Sequence, residues 1–215
     1  MLPFTREQFF EVFGAYNAAV WPAQWLAYGL GAVAVAAVLR ASAPASRVVA
    51  AILAVMWCWT GIVYHGLFFS SINGAARLFA LLFVLQGVAF VVEGVVRRRL
   101  FFAVRRDAWG AIGGALVAYA AVLYPLIGSV AGHAADRLPM FGITPCPVTI
   151  FTAGLMLLAR PPLPARLVVI PALWSLIGGS AALLLGVPQD WMLPVAGVLL
   201  AASLRRKAVG PAPAQ

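Results

Sequence analysis

One proline-flanked thiol is the sharpest chemical feature of this sequence. Residues 144–147 read threonine-proline-cysteine-proline and lie inside the apolar stretch 139–159. The two prolines remove backbone donors, and their rings free the carbonyl groups of Phe141 and Ile143. Lipid cannot satisfy these carbonyls, so the break must face protein, water or a ligand. The pattern predicts either a soft-cation site at Cys146 or a kinked helix start with a buried thiol.

Other polar side chains are predicted to lie on the same side of the membrane as Cys146. An intramembrane histidine such as His65 indicates a metal ligand or a proton relay, or a hydrogen bond to a neighbouring helix. Thiolate and imidazole suit a soft or borderline metal ion such as copper, zinc or nickel, whereas arginine favours an anion. The predicted metal ligands are Cys146 and His65. The predicted solute-binding residues are Tyr64, Arg77, Tyr124, Thr144 and Thr149.

The composition excludes a soluble enzyme. Hydrophobic residues make up 64% of the 215 residues and charged residues 10%, which is far more apolar than soluble domains. The single lysine, Lys207, lies in a basic tail, so no retinal Schiff base is expected inside the helices. The zinc-protease pattern His-Glu-x-x-His is absent, and no aspartate falls within an apolar run. We therefore expect a non-enzymatic protein of the lipid bilayer.

Seven apolar runs predict an all-α polytopic bundle of seven transmembrane helices, because about 20 residues of helix cross a membrane. A capping box at Thr5 and a phenylalanine-rich face predict an interfacial amphipathic helix over residues 1–17. The transmembrane domain then covers residues 18–204, and residues 205–215 form a cytoplasmic tail. The predicted spans are Ala18–Leu39, Val48–Phe69, Leu78–Val96, Ala108–Val130, Pro139–Ala159, Leu167–Leu185 and Trp191–Leu204.

The basic residues are divided very unequally between the two sides of these spans. Twelve arginines and lysines fall on one side and three, Arg6, Arg77 and Arg137, on the other. The positive-inside rule then places the N-terminus outside and the C-terminus inside. A net charge of +9 is therefore read as membrane orientation and not as nucleic-acid binding. Glu93, four residues before Arg97, predicts a helical ion pair.

A weak internal sequence repeat suggests two parallel three-helix units joined by the fourth span, as in some small transporters. A proline, an arginine pair and a double valine recur with similar spacing after Trp21-Pro22 and after Cys146-Pro147. The alternative is chance among loops that are rich in alanine, proline and arginine.

Two segments, residues 59–73 and 141–152, resemble a bacterial family of small polytopic membrane proteins, the domain of unknown function sixty sixty-four. The resemblance implies a multi-pass protein of the bacterial inner membrane and brings no activity or catalytic residues. Residues 144–147 are also similar to the intramembrane motif of some metal-transporting P-type ATPases, without their other motifs.

The sequence thus favours a small transporter or channel for a solute or metal cation, with a site on the extracytoplasmic side. A seven-helix sensor or an accessory subunit that binds a membrane partner is the alternative, and a homo-oligomer is compatible with both.

Overall fold

The computed structural model describes residues 3–132 and 134–206. Within these residues all the regular elements are helices. Residues Phe102 and Ala159 form an isolated antiparallel bridge. Within the described residues the chain forms nine α-helices in the order given next. They are α1 Arg6–Ala19, α2 Ala23–Arg40, α3 Ala43–Trp59, α4 Ala76–Phe90, α5 Ala108–Ala118, α6 Tyr124–Val130, α7 Pro145–Leu158, α8 Val169–Leu185 and α9 Met192–Ala202.

Three of the α-helices continue directly into π-helical segments. The segment Thr60–Phe68 extends α3, Val91–Val96 extends α4, and Tyr119–Leu123 joins α5 to α6. Such segments widen the helix locally and are frequent at functional sites. The first of them contains His65.

Five helical runs are long and apolar enough to cross a membrane. They are Ala23–Arg40, Ala43–Ser71, Ala76–Val96, Ala108–Val130 and Ala165–Leu185. Large apolar side chains such as Leu26, Leu78 and Leu183 are exposed on them, which fits contact with lipid. The runs predicted as spans five and seven hold shorter helices of 14 and 11 residues. The all-α architecture is confirmed, with five helices long and apolar enough to cross a membrane, and the seven-span count stays a prediction.

The capping box at Thr5 is confirmed, and α1 ends two residues beyond the predicted boundary. The Gln8 N–H donates to Oγ1 of Thr5 over 3.2 Å, and the Thr5 N–H donates to Oε1 of Gln8 over 2.8 Å. The predicted first span began at Ala18, whereas α2 begins at Ala23. The difference arises because Ala18 and Ala19 continue α1, and a turn at 20–22 that contains Pro22 then separates the two helices.

The connecting segments gather at two ends. At the end we call arginine-rich, segments 41–47, 97–107, 159–168 and 203–206 contact one another. There Glu93 is fully buried and pairs with Arg97, Arg99 and Arg166 over 3.0, 3.2 and 3.3 Å. The predicted pair with Arg97 is therefore confirmed, and the carboxylate also links the segments before α5 and α8. At the opposite α1 end, α1 contacts Phe69 and segment 134–144.

Helix α7 lies at the centre of the bundle, and all 14 of its residues are buried. Pro145 and Pro147 occupy its first turn, where helix N–H groups have no intrahelical partner and proline is tolerated. Of the first three positions only Cys146 keeps an N–H. The prolines therefore start the helix and do not kink a continuous one, which agrees with the expected break. The freed carbonyl of Ile143 accepts the Tyr16 hydroxyl over 2.7 Å.

Candidate functional site

A cavity of about 150 Å³ lies at the α1 end of the bundle. Its walls come from α1, the π segment Thr60–Phe68, the start of α7, the second half of α8 and the segment before α9. The lining is largely aromatic and aliphatic, with Tyr64, His65, Cys146 and Asp190 among its polar members. A small, mostly apolar space with a few convergent polar groups is typical of a ligand-binding site.

His65 is fully buried in the wall of this cavity, and neither ring nitrogen has a hydrogen-bond partner. Its ring packs edge-on against the rings of Phe83 and Trp174, with centroids 4.7 and 5.0 Å apart. A neutral imidazole carries one donor and one acceptor, and a buried polar group without a partner is unfavourable. The unpartnered nitrogens are therefore a place where a bound molecule could supply the missing bonds.

Asp190 provides the carboxylate of the cavity. It lies in the 3-10 turn Pro188–Trp191 and is buried. The Tyr124 hydroxyl donates a short hydrogen bond to its Oδ1, and the Cys146 thiol lies beside it. Burial raises the pKa of Asp190 from 3.8 to about 6, and the bonds from Tyr124 and Cys146 oppose that rise. A carboxylate has about four acceptor positions, so Asp190 can accept further donors from a ligand.

Helix α1 covers the cavity at this end of the molecule. The rings of Phe4, Phe9 and Phe13 line it from above the π segment. Tyr16 fixes the helix, since its hydroxyl donates to Ile143 and accepts the Trp59 indole N–H over 2.8 Å. The cover therefore depends on a few directional bonds at its C-terminal half.

The structure brings together only part of the predicted site. Tyr64, His65 and Cys146 line the cavity, and Tyr124 reaches it through Asp190.

Three predicted residues lie elsewhere. The hydroxyls of Thr144 and Thr149 donate to the carbonyls of Met140 and Pro145 over 2.7 and 2.8 Å, and neither residue is among the lining. Arg77 is exposed and is also not among the lining residues. Threonine hydroxyls at a helix start bond to the preceding turn, and a long cation at a membrane end reaches toward water.

The predicted metal site remains a two-residue prediction. His65 and Cys146 line the same cavity, and both contact Trp174. In the part of the chain that the structure describes, no group of three or more histidine, cysteine, aspartate or glutamate side chains is arranged to hold a metal ion. His133, the second histidine, lies outside the described residues.

Asp190 lines the cavity and is not among the residues predicted from the sequence. It lies between the sixth and seventh predicted spans, outside the apolar runs. The available signal was its isolation, since it is the single charged residue between Arg166 and Arg205.

Comparison with known proteins places the sequence in one uncharacterised group. Residues 6–211 match the model of a protein family described as a family of unknown function. No curated protein and no solved structure matches. The match confirms the resemblance drawn from segments 59–73 and 141–152.

Proposed function

We propose that this chain, which belongs to the family of unknown function DUF6064, is a membrane transporter whose small solute binds in the cavity at the α1 end. The observation that carries the proposal is the buried His65 with two unpartnered ring nitrogens in the wall of a cavity of about 150 Å³. A merely structural histidine would normally have its polar atoms satisfied.

The proposed location is the bacterial inner membrane, with the α1 end facing outward. The basic residues support this orientation, because they concentrate at the arginine-rich end. In this orientation the solute enters from the extracytoplasmic side, past α1, and meets Asp190 and Cys146 at the start of α7.

A sensor or accessory subunit is the second candidate, and the burial of α7 favours it. This helix is apolar and packed on every side, so it closes the cavity toward the arginine-rich end. Transport therefore requires a second conformation in which that closure opens, whereas sensing does not. A membrane partner or a second copy of the chain would then receive the signal.

Cysteine labelling separates the two candidates without knowledge of the solute. Cys146 lines the cavity, while Cys58 lies in α3 beside Gly87 of α4. The Cys58→Ser variant leaves Cys146 as the single thiol, and Cys146→Ser provides the matched background. Both are treated with the membrane-impermeant reagent trimethylammonium-ethyl methanethiosulfonate.

A transporter exposes Cys146 to the reagent from both sides in turn, in intact cells and in inside-out vesicles. Labelling from the α1 side alone supports the sensor or accessory role. If Cys146 resists the reagent from both sides, the cavity is not an accessible binding site and the proposal falls.

A further inference from the structure

The charges around the cavity select a class of ligand. Asp190 is the one carboxylate among the described lining residues, which include no arginine or lysine. The predicted anion-binding residue Arg77 is exposed and outside this lining. A buried carboxylate without a nearby lining cation favours a positively charged occupant.

The aromatic walls favour the same charge. Rings from α1 line the cavity together with those of Phe69, Phe79 and Trp174. The faces of aromatic rings attract cations, and aromatic enclosures are used to bind ammonium groups. The cavity is a poor site for an inorganic cation, because hard cations need several oxygen ligands. Among the described residues, no group of three or more histidine, cysteine, aspartate or glutamate side chains is arranged to hold a metal ion.

The polar groups further narrow the chemistry of the cation. Asp190 offers acceptor positions, and His65 offers a nitrogen lone pair in its neutral form. Both need donors, which a protonated amine has and a quaternary ammonium group lacks. A cavity of about 150 Å³ has room for a molecule of about the size of benzene.

Resting on the proposed function, we infer that the cavity binds a small organic amine in its protonated form. The ammonium group bonds to Asp190 and to a ring nitrogen of His65, and the apolar part of the amine contacts the aromatic walls. Tyr124 and Cys146 bond to the same carboxylate and hold it in place.

Titration calorimetry with benzylamine and benzyl alcohol tests the inference on the purified full chain in detergent. The two probes have nearly the same shape and differ in charge. We expect benzylamine to bind about tenfold to a hundredfold more tightly, as a bond to a charged group allows. Asp190→Asn should remove most of that difference. Asp136→Asn, an exposed carboxylate at the same end, makes the same change in net charge and should leave it intact.

A cooperative thermal unfolding transition of the Asp190→Asn variant shows that this variant still folds. If the variant does not fold, His65→Gln in the same experiment should weaken benzylamine more than benzyl alcohol. Equal binding of both probes overturns the amine class and leaves solute binding in place. Binding of zinc alone, lost in Cys146→Ser, without benzylamine binding overturns it in favour of a metal ion. If neither probe nor zinc binds and Cys146 is also unreactive, the proposed function falls as well.

Discussion

Asp190 holds a buried carboxylate, and two neutral donors, Tyr124 and Cys146, supply compensating bonds. Neutral donors stabilise the ionised form less than a cation does. Its protonation is therefore coupled to folding in the mildly acidic range.

We predict that the protein loses stability as the pH rises from about 4 to about 6 and changes little above that. The folded pKa of Asp190 is raised to about 6 from 3.8, so the folded state binds the proton more tightly than the unfolded state does. The difference corresponds to on the order of 3 kcal/mol. Thermal unfolding in detergent at several pH values measures it, and Asp190→Asn should flatten the profile.

Asp107 provides the control for this pH experiment. The hydrogen bond from Arg105 lowers the pKa of this exposed carboxyl to about 2. In the folded protein Asp107 therefore titrates below the pH range in which Asp190 is expected to act. Asp107→Asn should keep the wild-type slope between pH 4 and 6. A slope that survives in Asp190→Asn would show that another group is responsible.

Tyr16 is one of the residues that hold α1 in place beside the cavity, and Tyr16→Phe should destabilise the protein by about 1–3 kcal/mol. The substitution leaves the Ile143 carbonyl and the Trp59 N–H without this partner. We expect faster labelling of Cys146 by the thiol reagent, because the cover loosens. Tyr28→Phe is the matched control, since the Tyr28 hydroxyl bonds to none of the described residues. Equal labelling rates in both variants would contradict the role of Tyr16.

At the scale of the elements, the central position of α7 depends on close helix contacts. Gly113 of α5 and Gly154 of α7 face each other, and a Cβ on either would lie 2.8 Å from the carbonyl oxygen of the other. Small residues let membrane helices approach closely. The crossing of α5 and α7 is therefore set by these two glycines.

Gly113→Ala should destabilise the bundle by about 1–3 kcal/mol, because the added methyl group forces the two helices apart. The neighbouring Gly114→Ala has open space around its Cβ. It should be neutral or stabilising by up to about 1 kcal/mol, through helix propensity. Unfolding temperatures of the two variants in detergent make the comparison. Similar values for both would contradict the tight crossing.

The C-terminal end of α7 is capped by an arginine from the end of the described chain. Arg206 donates to the carbonyls of Leu157 and Ala159 over 3.0 and 2.9 Å. A cation there also complements the negative end of the helix dipole. The cap therefore ties the segment after α9 to the middle of the bundle.

We predict that Arg206→Gln lowers the free energy of unfolding by about 1–2 kcal/mol. Arg205→Gln, at an exposed position next to it, removes the same charge without removing the cap and should change stability little. Denaturation monitored by tryptophan fluorescence distinguishes the two, and an equal loss in both variants would assign the effect to net charge.

At the scale of the whole molecule, the twelve-to-three division of basic residues predicts that the arginine-rich end faces the cytoplasm. A green fluorescent protein fused after Gln215 should fluoresce, and alkaline phosphatase fused after Asn73 should be active. Expression of each fusion is checked by immunoblot. A dark but well-expressed C-terminal fusion would remove the seventh span, because an odd number of crossings separates the two termini.

The resemblance between the two proposed three-helix units stays a prediction at this scale. Their first helices differ in environment, since α7 is buried throughout whereas six of the 18 residues of α2 are buried. A parallel repeat would therefore have diverged most at its first helix.

Local sequence by itself determined the elements. Runs of apolar residues located the five long helices, the Thr5 capping box located the start of α1, and the prolines marked the start of α7. The pair of Glu93 with Arg97 also followed from spacing. Each of these features depends on residues within one or two helical turns, so neighbouring residues in the sequence are sufficient to predict it.

Only the tertiary structure decided which polar groups meet and which helix is central. Helix α7 is about as apolar overall as the longer helices, so hydropathy does not mark it as the central one. Tyr124 and Asp190 are 66 residues apart and meet at one hydrogen bond. Arg77, predicted to lie near Cys146 and His65, is exposed and is not among the residues that line the cavity. Such pairings depend on how whole helices pack against one another. Helix packing is set by contacts between residues far apart in the sequence, so local spacing does not predict it.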